Sequence, residues 1–494
     1  MTFTAFVFWG VMLPVLLLLY HVCARRAWAQ NLVLIAAACV FYGSMDPKFL
    51  PLLGACILLT WAGGGLTAHC GSIGRPRAAK ACFVTALVLN IGILAVFKYT
   101  PFILQNLNLI LAPSGRAVTL SAWLLPVGLS FYIFQSSSYL IDVYRGDVFA
   151  EKNLLTYAAF VSFFPSIVSG PILKSRDMLP AFRERRTLSY DVFRRALVRF
   201  LYGAFLKMIV ADRLALFVNA AYADVRGSAG PAAVLAAFAY TLQIYTDFSG
   251  YSHMSIAVAA VLGFRVRENF RQPYLADSIA DFWRRWHISL TDWFRDYLYI
   301  PLGGNRKGAA RKYLNTALVF IVSGLWHGAA WTFVAWGALH AAYQIAEAVT
   351  RPVRERICAA MHVHAGAAGR KALRRVVVFV LVTAAWVLFR SPDLRTAGAL
   401  FAQMFRGWSV SAIAAVFSGQ AGLAPYEWVV CAAGIVLMTV ISVRRERGTL
   451  GTELFLRQRF PLRAAAVLTV FGVLLVWGVY GPAFAASSFI YAGF

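Results

Sequence analysis

Acidic residues are scarce in this chain: 21 Asp and Glu stand against 47 Lys and Arg, a formal charge of +26 over 494 residues. Such an excess can mark a nucleic-acid binder, but the cations are not gathered in a polar domain. They cluster between apolar runs, as expected when cytoplasmic loops retain the positive charge. Cysteine is also sparse. The seven are scattered, mostly in apolar runs, with no CxxC pair, so neither a disulfide framework nor a thiolate metal site is indicated. There is no HExxH, no GxSxG and no carboxylate-rich cluster, which argues against a metalloprotease, a serine hydrolase and a resident metal. No internal repeat is evident.

What the chain has is hydrophobicity: 60% of its residues are apolar or aromatic, with a mean hydropathy of +0.66. Apolar runs of about 18 residues or more recur from end to end, the pattern of a polytopic helical membrane protein. They lack the apolar–polar alternation of a β-barrel. The fold class expected is therefore all-α, with about 11 or 12 spans in a single membrane domain over 1–494. Within it, 1–118 are N-terminal spans, 119–349 a core with a cytoplasmic segment at 265–312, and 350–494 C-terminal spans. The apolar start at Phe3–Tyr20, followed by Arg25 and Arg26, reads as a first span with its N-terminus outside. Further spans are expected near 31–45, 49–68, 81–97, 119–140, 197–221, 313–330, 331–349, 376–390, 426–443 and 464–486, with a linker at 98–118. Prolines and glycines break 154–173, which reads as re-entrant. The run 232–264, interrupted by Asp247–Gly250 and His253, reads as one broken helix or two short ones.

Two histidines stand out, 40 positions apart. Entering from the cytoplasm near Tyr313, a helix rising ~1.5 Å per residue carries His327 roughly 21 Å along, inside a hydrocarbon core about 30 Å thick. An ionisable group at that depth faces a protein interior or a cavity and is a functional candidate, although a buried histidine bonded to a carbonyl fits too. His287 lies in a basic, aromatic segment in which Trp283, Trp286, Leu290, Trp293 and Tyr297 recur at helical spacing. That stripe reads as an interfacial helix anchored by tryptophans, with His287 at its apolar edge. The turn Pro301–Gly308 adds Arg306 and Lys307 among glycines, a geometry able to hold phosphates but more often a solvated loop. Asp142, Asp247, His253 and His340 are further polar residues in or beside spans.

Taken together these stretches resemble a known family. Arg284-Arg-Trp-His287-Ile-Ser-Leu, Arg295-Asp-Tyr-Leu-Tyr-Ile-Pro-Leu-Gly-Gly-Asn-Arg306 and Leu325-Trp-His327-Gly are similar to the membrane-bound O-acyltransferases, most closely the alginate O-acetyltransferase branch. Leu125–Tyr132, Tyr139–Arg145, Phe164–Pro171, Asp247–Tyr251, Phe389-Arg390 and Phe489-Ile-Tyr491 extend the likeness over most of the chain. Two positions depart from it: His253 stands where an aspartate is expected, and the end Ala492-Gly-Phe494 replaces an expected Phe-Gln-Phe.

The resemblance implies a helical ring around a funnel in a bacterial inner membrane, with His327 at the tunnel and His287 on its cytoplasmic side. It further implies acetyl transfer from cytoplasmic acetyl-CoA towards an extracytoplasmic polysaccharide, completed by a periplasmic SGNH-type transferase. Arg284, Arg285, Arg306 and Lys307 are candidates for the CoA phosphates, and no metal is expected. A D-alanyl or other acyl transferase is the alternative within the class. Outside it stand a transporter or flippase and a scaffold that only recruits the periplasmic enzyme.

Overall fold

A computed structural model describes residues 1–479, except 115, 117, 119–124, 363, 365, 366, 420 and 450. Among the described residues the regular structure is helical, with no strand. Five helices among the described residues are long and apolar enough to cross a membrane: Pro47–Ser72, Pro76–Leu111, Ala368–Arg390, Pro425–Glu446 and Phe460–Trp477. Three more long helices, Gly230–Val261, Gly308–His327 and Trp331–Ala360, carry polar residues along their length.

The chain forms two compact units. Among the described residues, the first comprises Met1–Phe200 with Ser252–Arg267; the second comprises Leu201–Tyr251 and 268–479. In the first, the Pro47–Ser72 and Pro76–Leu111 helices pair tightly because Gly63 faces Ala86, where an added Cβ would meet the alanine's own at 2.4 Å. Side chains close the remaining polar gaps. Asn90 donates to Ser136 and Ser137 at 3.0 Å, and the buried Tyr157 hydroxyl donates to Thr60 at 2.8 Å. Such pairing is what burial of polar groups requires.

In the second unit the Gly308–His327 and Trp331–Ala360 helices form an antiparallel pair with very close backbones. A Cβ on Gly324 would lie 2.2 Å from the Phe333 carbonyl oxygen, and one on Gly337 would lie 2.3 Å from that of Phe320. Small residues at such crossings let helices meet without a hydrophobic driving force.

Several boundaries differ from the sequence reading. The stretch 98–111, expected as a linker, continues the Pro76–Leu111 helix with Pro101 inside it. The run 232–264 is one unbroken helix, Gly230–Val261. Its Gly250 is there for contact, since a Cβ would fall 2.7 Å from the Gly203 carbonyl oxygen, and Asp247 is neutralised by Lys207 at 2.6 Å. The segment 154–173 is broken as expected, into the short helices Leu154–Val161 and Phe164–Ile167. In the fifth expected span, 119–140, residues 119–124 lie outside the described set, and the described helix is Leu129–Arg145, preceded by the left-handed Gly128. Residues 489–494 lie outside the described set.

Candidate active site

The anticipated single amphipathic helix around His287 does not exist. Ile279–Arg285 and Ile288–Phe294 are separate helices, and His287 caps the second with φ 43° and ψ 53°. That left-handed conformation is uncommon for a residue with a Cβ and marks a position held by its surroundings. The aromatic stripe is real but turned inward: Trp283, Trp286, Leu290, Trp293 and Tyr297 are all buried. It forms core, not a membrane-surface anchor.

Asn269, a residue the sequence reading passed over, fixes His287. The backbone N–H of Ile288 donates to the Asn269 carbonyl at 2.9 Å, and that of Arg271 to the Arg285 carbonyl at 2.9 Å, so the two stretches lie side by side. The Asn269 Oδ1 then accepts from the Ser289 backbone N–H at 3.2 Å and the Ser289 hydroxyl at 2.9 Å. It also lies 3.1 Å from Nδ1 of His287. A backbone N–H can only donate, so this Asn269 atom is the oxygen and His287 Nδ1 carries the proton. In the neutral ring the lone pair is therefore on Nε2. Complete burial lowers the His287 pKa to about 3, keeping the ring neutral at physiological pH.

His327 is the last residue of the Gly308–His327 helix, which starts five residues before Tyr313, and it is buried. Aromatic rings enclose it, Trp336 at 5.2 Å, Phe389 at 5.3 Å and Trp326 at 4.9 Å between centroids. The two imidazoles meet within this cage, 6.3 Å apart. Phe248, from the Asp247–Tyr251 motif, presents its edge to His287 at 4.6 Å. His340 belongs to the next layer: the Trp283 indole donates to its Nδ1 at 3.2 Å, and Trp336 lies between it and His327.

Comparison with known proteins gives the family. The sequence profile of the membrane-bound O-acyltransferase family matches residues 114–388. Relatives named probable alginate O-acetylase AlgI include those of Azotobacter vinelandii and Pseudomonas aeruginosa. The first is 40% identical over 83% of this chain and 80% of the relative; the second is 41% identical over 82% and 75%. The chain belongs to the membrane-bound O-acyltransferase family. A peptidoglycan O-acetyltransferase of Helicobacter pylori is 34% identical over 78% of this chain and 76% of its own length. The protein is thus a multi-pass membrane O-acyltransferase, and its helical architecture agrees.

The four cations singled out for the acyltransferase's donor are placed unequally. Arg285 is held between Asp281 at 2.8 Å and Glu446 at 2.7 Å, so its charge is already met. Arg284 is largely exposed, near Asp281 at 3.3 Å. Arg306 and Lys307 are exposed on the Pro301–Gly308 turn. That turn uses positive φ at Gly303, Gly304 and Gly308 and is tied down by Asn315, whose amide donates to the Gly304 carbonyl at 2.9 Å. Asp142 serves the fold, accepting from Ser175 at 2.6 Å, and His253 is buried in the first unit.

Proposed function

We propose that this protein moves an acetyl group from cytoplasmic acetyl-CoA, across the bacterial inner membrane, for O-acetylation of an extracytoplasmic polysaccharide. A periplasmic SGNH-type transferase is the proposed partner that completes the modification. The names of the relatives support acetyl as the group and a cell-envelope polymer as its destination. The observation that carries the mechanism is the meeting of two buried imidazoles in one aromatic cage.

In this reading a hydroxyl oxygen attacks the thioester carbonyl carbon while His327 takes the hydroxyl proton. The C–S bond then breaks and the thiolate leaves, to be protonated in turn. General-base assistance of this kind contributes about 10²–10⁴-fold. His327 ends its helix, where the helix dipole places partial negative charge that favours the cation formed as the base takes the proton. His287, with its lone pair on Nε2, positions the reactants by accepting a hydrogen bond. Arg284, Arg306 and Lys307 are the proposed contacts to the CoA phosphates. Arg285, held by two carboxylates, is the weakest of the original four.

The test is label transfer from radiolabelled acetyl-CoA by the purified protein, with and without its periplasmic partner. His327→Ala is expected to lower turnover by about 10²-fold or more with normal yield and insertion. Normal turnover in that variant would remove His327 from the chemistry. A D-alanyl donor is the second reading, favoured by 26% identity over 230 residues to a teichoic acid D-alanyltransferase of Bacillus subtilis. Label retained from acetyl-CoA but not from a D-alanyl thioester decides between them.

A further inference from the structure

The first unit contains a cavity of about 270 Å³ that the transfer reaction leaves without a role. One wall is the extended stretch Pro171–Lys174 with Asp177 and Met178; the other is Arg265–Arg267. Its charged lining is three cations, Lys174, Arg265 and Arg267, against the single carboxylate of Asp177, which lies 3.3 Å from Arg267. Arg265 and Arg267 are exposed at the mouth, whereas Lys174 is buried. The rest of the lining is apolar: Pro171, Ile172, Leu173, Met178 and Val266. Arg265–Arg267 open the segment 265–312 that the charge pattern puts on the cytoplasmic face, and Lys174 opens a second basic run, 174–199, directly after the re-entrant segment 154–173.

A net positive cavity with an apolar floor selects an anion that carries an apolar arm. Paired guanidinium groups favour phosphate over a lone carboxylate, because their planar forks match its oxygens. We infer that the cavity between Pro171–Met178 and Arg265–Arg267 binds a phosphate-bearing ligand with an apolar arm at the cytoplasmic face. The ligand class that fits is an anionic phospholipid, whose headgroup phosphate meets the cations while an acyl chain follows the apolar lining. The site consists of residues other than the histidines and cations of the proposed transfer site, so it stands or falls independently of that assignment.

The full-length protein in neutral detergent is titrated separately with phosphatidylglycerol, phosphatidylcholine and free CoA, with binding read by native mass spectrometry and by thermal shift. Arg265→Gln/Arg267→Gln, made at exposed positions, is expected to weaken phosphatidylglycerol by about tenfold or more, as loss of a charged hydrogen bond does, and to leave CoA unchanged. Phosphatidylcholine is expected to bind less tightly than phosphatidylglycerol. Asp177→Asn, which removes the one carboxylate, is expected to tighten the same ligand several-fold. Loss of phosphatidylglycerol with CoA unchanged supports the lipid site; loss confined to CoA would assign the cavity to the acyl donor and overturn the inference. His327→Ala is expected to bind as wild type does, so failure of the catalytic assignment leaves this result untouched. Unchanged affinity for phosphatidylglycerol in the double variant, or weaker phosphatidylglycerol binding in Asp177→Asn, would overturn the inference.

Discussion

At the scale of single residues, His287 carries two requirements: an imidazole on a defined tautomer and a backbone with positive φ. Asparagine tolerates that backbone, whereas a β-branched residue does not. His287→Val is therefore expected to lose about 1–2 kcal/mol more stability than His287→Asn, measured as the difference in thermal unfolding in detergent. The ring's pKa falls from 6.5 in the unfolded chain to about 3 in the fold. The unfolded state thus binds more protons between these values, so the contribution is complete above pH 6.5 and declines as pH falls towards 3. The stability advantage of wild type over His287→Asn is expected to shrink by about 2 kcal/mol between pH 7.5 and 5. An advantage that does not change with pH would mean that the folded ring protonates freely. Asn269→Leu removes the oxygen that accepts from Ser289 and His287 while keeping similar bulk. It is expected to lower turnover as well as stability, whereas Ser289→Ala, losing one hydroxyl bond, costs about 1 kcal/mol.

At the scale of elements, the Gly308–His327 and Trp331–Ala360 helices set where His327 lies, and their glycines decide how closely they approach. Gly324→Ala and Gly337→Ala each drive a methyl into a facing backbone carbonyl that cannot move alone. Each is expected to lower the melting temperature and, by shifting His327, to cut acetyl transfer. Gly65→Ala and Gly92→Ala, whose new Cβ would meet nothing within 4 Å, serve as controls and are expected to leave both unchanged. The helical periodicity through Trp283–Tyr297 was legible in the sequence, but not the reversal at Trp286–His287. Both a continuous surface helix and a kinked buried pair satisfy the same spacing of apolar residues. Only the pairing of 269–271 with 285–288 selects the second.

At the scale of the whole molecule, charge balance governs both insertion and stability. Lys207 lies in a wide helical turn, Leu206–Ala211, and bridges Asp212 at 2.7 Å and Asp247 at 2.6 Å, all three largely buried. Lys207→Met leaves carboxylates buried without that cation and is expected to cost about 3–5 kcal/mol, read as lost detergent-solubilised yield and a lower unfolding temperature. Lys207→Met/Asp247→Asn is expected to recover part of it. From the distribution of the 47 Lys and Arg, 265–312 is expected on the cytoplasmic side and 391–425, between the spans expected at 376–390 and 426–443, outside. In intact cells, a cysteine replacing Phe405, which is 86% exposed, is expected to react with an impermeant maleimide. One replacing Lys307 is expected to react only after the membrane is opened.

The sequence by itself determined the helical membrane class and the family, and singled out the two histidines as candidates, because hydropathy, loop charge and motif residues are local properties of the chain. Asn269 was beyond it: an asparagine in a polar loop looks alike whether it meets water or anchors an imidazole. The tertiary structure alone decided that the tryptophan stripe is core, that His287 sits on a left-handed backbone, and that Arg285 is committed to Asp281 and Glu446. Each of these depends on contacts between residues distant in sequence, and a one-dimensional pattern carries spacing but not the partner that fills it.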